Sequence, residues 1–125
     1  MDIFDGESYF QEGTIVDILH KGDKILLSLK SVELEEDEVE DDIELGEDHT
    51  LLATLCLEGV AGIYVDDEPF EGILTKIYDL GTIVELEFFE NGIELQVHWV
   101  NFPPKKEMNT LSLIEIEADK VYFLP

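Results

Sequence analysis

The chain has 125 residues and a mass of 14.2 kDa, which fits one domain, 1–125, and would crowd two full ones. A hydrophobic fraction of 45% and a mean hydropathy near zero exclude a wholly disordered chain. Asp and Glu number 31 against 7 lysines and no arginine, a net charge of −24, which argues against direct nucleic-acid binding, phosphoryl transfer and attachment to anionic membranes.

Residues 1–13 carry Phe4, Tyr9 and Phe10 among acids and glycines, and predict an irregular lead-in whose aromatics dock on the body. Thr14–His20 opens with β-branched residues and predicts a first strand. Lys21-Gly22-Asp23 has turn chemistry, and Ile25, Leu27 and Leu29 alternate with Leu26, Ser28 and Lys30 behind it. The two runs predict a hairpin. Residues 33–48 hold eleven acids in sixteen positions. Their mutual repulsion predicts a solvated, mobile acidic loop.

Thr50–Leu57 and 59–65 predict two extended runs separated by Gly59, with a turn at Asp66-Asp67-Glu68-Pro69. Over 70–80, Ile73, Leu74, Ile77 and Leu80 follow helical spacing and Gly81 stands where a helix ends. A short helix is expected there, although the β-branched content also permits a strand. Thr82–Phe89 and Ile93–Val100 flank Glu90-Asn91-Gly92, and Asn-Gly between two alternating runs is a strong hairpin signal. Val84, Leu86 and Phe88 are expected on one face of the first strand, and Ile93, Leu95, Val97 and Trp99 on one face of the second. The wet side then carries Glu85, Glu87, Glu94, Gln96 and His98. Phe102-Pro103-Pro104-Lys105-Lys106 breaks the sheet. Thr110–Glu117 predicts a strand whose apolar phase shifts between Leu113 and Ile114, a bulge or a bend, Ala118-Asp119-Lys120 a turn, and Val121–Leu124 a closing strand. The whole predicts a mainly β fold, an antiparallel sandwich or partly open barrel of about seven or eight strands.

Candidate chemistry is sparse. Cys56 is the only cysteine, so neither a disulfide nor a multi-cysteine zinc site can form within the chain. Leu55 and Leu57 flank it and the overall field is negative, which favours a structural core thiol over a nucleophile. His20, His49 and His98 stand far apart with no metal-ligand spacing. Asp37, Glu38, Glu40, Asp41 and Asp42 do not fit a calcium loop. Among 31 acids some pair always matches a glycosidase separation by accident. Ser8, Ser28, Ser31 and Ser112 lack a nucleophile context. No enzyme activity, cofactor or metal is therefore expected. Trp99, the only tryptophan, is expected in the core, with a sugar-stacking platform or a partner hot spot as the other readings, and Tyr64, Tyr78, Phe89 and Phe102 stay open between the same readings. The acidic start MDIFDGESYF lacks a secretory signal pattern, so a cytoplasmic location is expected.

Tyr9–Leu29 (YFQEGTIVDILHKGDKILLSL), Leu55–Ile63 (LCLEGVAGI) and Gln96–Pro104 (QVHWVNFPP) resemble small acidic β-rich bacterial proteins, some of them immunity proteins of polymorphic toxin systems. The resemblance implies a short, cytoplasmic, non-catalytic protein that neutralises a basic toxin or enzyme, and it carries over no binding residues. Charge gives a separate reason to expect a basic protein partner, because clustered carboxylates speed capture of a cationic surface and reject anionic ones. The contact residues expected are Glu35, Glu36, Asp37, Glu38, Glu40, Asp41 and Asp42, followed by Glu85, Glu87 and Glu94. The alternatives are a small-ligand or carbohydrate-binding β-domain and a structural subunit that associates through sheet edges.

Overall fold

The computed structural model describes residues 3–40, 43–104 and 108–124. A short helix α1 (Ile3–Tyr9) precedes seven strands: β1 (Thr14–Lys21), β2 (Lys24–Lys30), β3 (Leu52–Val65), β4 (Glu68–Pro69), β5 (Leu80–Phe89), β6 (Gly92–Asn101) and β7 (Met108–Phe123). All pairings are antiparallel and form one mainly β sheet. They run β1–β5–β6–β7–β3–β2 and return to β1, so six strands trace a ring, with β4 hung on β3. The β1–β5 seam is thin. It consists of the pair Thr14↔Thr82 and the bonds from Glu12 N–H to the Ile83 carbonyl (2.8 Å) and from Ile83 N–H to the Gly13 carbonyl (2.7 Å).

Strand alternation fills the ring. Ile25, Leu27 and Leu29 of β2 and Ile93, Leu95, Val97 and Trp99 of β6 all point inward and are buried. They meet Ile15, Ile18, Leu55, Leu57, Ile83, Leu86, Ile114 and Ile116 in one apolar cluster. Each large side chain so buried contributes about 1.5–3 kcal/mol by leaving water. Gly81 makes room for the indole, since a Cβ there would lie 2.4 Å from Trp99 Cζ3.

Turn residues set the register. Asp66 and Asp67 sit at φ 53° and 67° between paired Val65 and Glu68, the positive-φ signature of a type I′ hairpin. In the β5–β6 hairpin Phe89 pairs with Gly92, so Glu90 and Asn91 form the loop and Gly92 already belongs to the strand. Gly92 has φ 153°, and a Cβ there would stand 1.9 Å from the Ile116 carbonyl oxygen. Gly92→Ala is expected to cost roughly 3 kcal/mol, read from urea unfolding, because a backbone oxygen cannot move aside cheaply.

Several local expectations are corrected. The lead-in 1–13 is helical over Ile3–Tyr9. Seven residues are too few to be stable alone; burial of Tyr9 and Phe10 holds them, and the Glu7 carboxylate accepts the Phe88 N–H at 2.7 Å, where β1 no longer runs beside β5. The Phe4 side chain lies outside the described set. No helix forms over 70–80. Burial there alternates with period two, Leu74 inward and Ile73, Thr75 and Ile77 outward. The backbone groups go to partners elsewhere: Phe70 N–H to the Ile63 carbonyl, Leu74 N–H to His20 Nδ1 and Asp79 N–H to Asn101 Oδ1. This extended strap crosses the end of the ring where β1 finishes, whereas α1 packs at the opposite end, against β5 and β7.

The runs 50–57 and 59–65 are one strand, carried through Gly59 at φ 66° and a register shift between Val60 and Gly62. β7 is likewise unbroken: Ala118 pairs with Val60 and Lys120 with Glu58, so no turn forms at 118–120. Nor does β7 bulge at Leu113. It stays in register with β6, with Leu111 and Leu113 outward and Ile114 and Ile116 inward. A bulge does occur in β5, between Ile83 and Glu85. It turns Ile83 inward and leaves Val84 outside at 46% exposure, so Val84 does not share the face of Leu86.

Candidate partner-binding face

The bulge in β5 fixes the phase of the residues after it. With Leu86 buried, Glu85 and Glu87 project from the outer face. The pairing then aligns carboxylates across strands. Glu87 of β5 lies opposite Glu94 of β6, Glu94 opposite Glu115 of β7, and Glu115 opposite Tyr64 of β3. Opposed side chains in an antiparallel sheet have Cβ atoms about 5 Å apart, so three carboxylates stand in a row on three adjacent strands. Glu85 lies diagonally beside the row, opposite Gln96, and Glu117 lies opposite Gly92.

A depression of about 140 Å³ opens in this face, lined by Glu94, Glu115, Glu117, Tyr64 and Phe89, with Gly92 and Ile93 beneath. Carboxylates around an aromatic ring suit an ammonium or guanidinium group, which gains from both charge and the ring face.

The electrostatics carry the mark of crowding. A hydrogen bond with Glu85 is the main cause that raises the Glu87 carboxyl above its ordinary value of 4.5. The charge of Glu85, burial, and the charges of Glu94 and Glu7 add to it. Glu87 therefore binds a proton more readily in the folded protein than in the unfolded chain. Its contribution to stability is full below the ordinary carboxylate pKa and is lost as pH rises through the raised one. Glu87→Gln is thus expected to gain stability over the parent as pH rises from about 4 to about 7, read from urea midpoints across that range. Asp48 behaves oppositely. The Thr50 hydroxyl and Lys30 hold its carboxyl far below the usual range, so its contribution exists above the ordinary pKa and is lost on acidification.

The described lysines lie elsewhere. Lys30 pairs with Asp48 at 3.0 Å and Lys24 with Glu58 at 3.6 Å. Lys76 donates to the Asp79 carbonyl, Lys21 ends β1, and Lys120 faces Glu58. Among the described residues no lysine stands on the outer face of β5, β6 or the first half of β7; Lys105 and Lys106 lie outside the described residues.

The other expected contact residues are placed separately. Glu35, Glu36, Asp37, Glu38 and Glu40 are exposed on the acidic segment, irregular except for a 3-10 turn at Glu36–Glu38. Asp41 and Asp42 lie outside the described residues. The segment leaves the sheet where Ser31 N–H bonds the Leu51 carbonyl and the Ser31 hydroxyl accepts the Leu51 N–H. That junction of β2 and β3 is across the ring from the β5–β6 ribbon. Leu34, Val39, Ile43 and Leu45 pack against the core, so the segment is apolar on one side. The two groups of acids therefore stem from opposite sides of the ring. Glu115, Glu117 and Tyr64 were not among the expected contact residues; the signal for the two glutamates was the acid-alternating run LIEIE in β7, legible only once its register against β6 is known, and Tyr64 joins them through its pairing with Glu115.

Trp99 is buried and packs against Tyr78 with ring centroids 5.3 Å apart. Cys56 is buried too, but on the side of β3 opposite Leu55 and Leu57, between Leu26 and Tyr122 on the neighbouring strands. The Tyr122 hydroxyl donates to Glu58 Oε1 at 2.9 Å. Hydrogen bonds with Cys56 and Glu58 push the phenol well above its usual range. His20 fastens the strap through Nδ1, with Nε2–H donating to the Gly22 carbonyl at 3.0 Å, and His98 bonds Asn109. Among the described residues no three His, Cys, Asp or Glu side chains are grouped to hold a metal ion, and no helix is long and apolar enough to cross a membrane. No protein-family model, curated protein or solved structure matches the chain.

Proposed function

We propose that this is a non-catalytic binding protein that captures a basic macromolecule on the outer face of β5, β6 and β7, in the manner of an inhibitor or immunity protein neutralising a cationic toxin. One observation carries the reading: Glu87, Glu94 and Glu115 stand side by side on adjacent strands with no lysine among them. Like charges directly opposed across strands destabilise a sheet. Solubility needs charge but not this alignment, since carboxylates dispersed over the surface serve it equally well. A basic partner removes the repulsion when it binds and draws association speed from the same field. A cytoplasmic location fits such a role.

The test is amide chemical-shift mapping with a lysine-rich peptide as probe at low salt. Shifts are expected at Glu85, Glu87, Glu94, Glu115 and Tyr64 and should fade as salt is added. Shifts confined to 33–48, or shifts indifferent to salt, would overturn the assignment.

A further inference from the structure

The strap over 70–79 leaves an apolar surface outside the ring. Ile73 and Ile77 are 66% and 68% exposed, and Phe70 is partly exposed, on a chain that buries its other large residues on the inward side of the same segment. These side chains border a cavity of about 180 Å³ whose inner wall is Leu74, Tyr78 and Trp99. Four exposed acids, Asp66, Asp67, Glu68 and Glu71, immediately precede or flank Phe70. The one lysine of the strap, Lys76, is engaged with the Asp79 carbonyl.

This surface joins the carboxylate face. Asp66 N–H donates to the Leu113 carbonyl and Asp66 Oδ1 accepts the Leu113 N–H, which continues the β3–β7 pairing past Val65 and Ile114. Leu113 is two residues from Glu115. The acids of the turn thus extend the row toward the strap, and the apolar patch adjoins an anionic rim.

Resting on the reading above, we propose that the strap is the anchor of the same interface: it receives an apolar side chain of a basic polypeptide whose cations lie on the acidic rim and row. Charge selects this occupant. A second copy of the chain brings another −24 to the contact and is repelled. A central apolar anchor inside a charged rim is also how protein interfaces concentrate affinity.

Two lysine-rich peptides of equal charge, one with a central leucine and one with serine in its place, test this directly. The leucine peptide is expected to bind about 10-fold tighter or more, the worth of burying one such side chain, and to change the emission of Trp99. Ile73→Ser and Ile77→Ser, at exposed positions where the fold is undisturbed, should erase that advantage while leaving the serine peptide's affinity unchanged. Equal affinity for both peptides overturns the anchor and leaves the carboxylate face standing. Failure of both peptides to bind at low salt overturns the face itself. A dimer in sedimentation that Ile77→Ser dissolves would assign the strap to self-association and overturn the anchor as well.

Discussion

Replacing Glu87, Glu94 and Glu115 together by glutamine is expected to make the protein harder to unfold and slower to bind a basic partner. The two effects have one cause. Each glutamate faces another across the pairing, and Glu87 already holds its proton more tightly because Glu85, Glu94 and Glu7 crowd it. Glutamine keeps the shape and removes the repulsion, so the urea midpoint near neutral pH should rise. The same change removes the local field that steers a cation in, and association with a lysine-rich peptide at low salt should slow by about 10-fold or more. Stopped-flow mixing and urea titration of one preparation read both. A drop in stability would mean that the row is held together by something other than its sheet neighbours. Opposite signs for stability and binding are the pattern of a surface whose residues serve contact rather than folding.

Phe10→Ala is expected to be the most damaging single truncation, costing about 3–5 kcal/mol. Phe10 is fully buried where α1 turns into β1, and its ring packs on Phe123 with centroids 5.7 Å apart, while Phe123 in turn meets Phe88 at 6.2 Å. Removing it leaves a cavity and also frees α1, whose seven residues cannot hold a helix unaided. The Glu7 bond to Phe88 N–H is then lost with the helix. Phe89→Ala, one residue from Phe88 but 52% exposed, should cost less than about 1 kcal/mol. Urea unfolding of the pair separates an end plug from surface decoration; equal costs would contradict the packing described.

Much of the fold was legible because alternation speaks plainly where one face is buried. Ile93, Leu95, Val97 and Trp99 read correctly since β6 lies between two long partners and has no register shift with β7. β5 misled at Val84, because a bulge changes phase by one residue and leaves no trace in composition. The strap misled more. Ile73, Leu74, Ile77 and Leu80 have helical spacing, but His20, Asn101 and Ile63 hold the backbone extended, and those partners are remote in sequence. Gly59 looked like a break because glycine usually ends strands; here its positive φ lets β3 continue beside Asp119. For the candidate face, Glu85, Glu87 and Glu94 were visible as the wet side of a hairpin. Glu115 was not, and Tyr64 stayed open between core and contact, since their place beside Glu94 depends on pairing between strands far apart in the chain.

The most direct test compares two neutralised proteins binding the same lysine-rich peptide over a salt series. One carries glutamine at Glu87, Glu94 and Glu115. The other carries amides at Glu35, Glu36, Asp37, Glu38 and Glu40, more charges removed from the opposite side of the ring. The first should lose both affinity and salt dependence, and the second should keep most of each. Loss confined to the second protein would place capture on the acidic segment and contradict the role given to the carboxylate row.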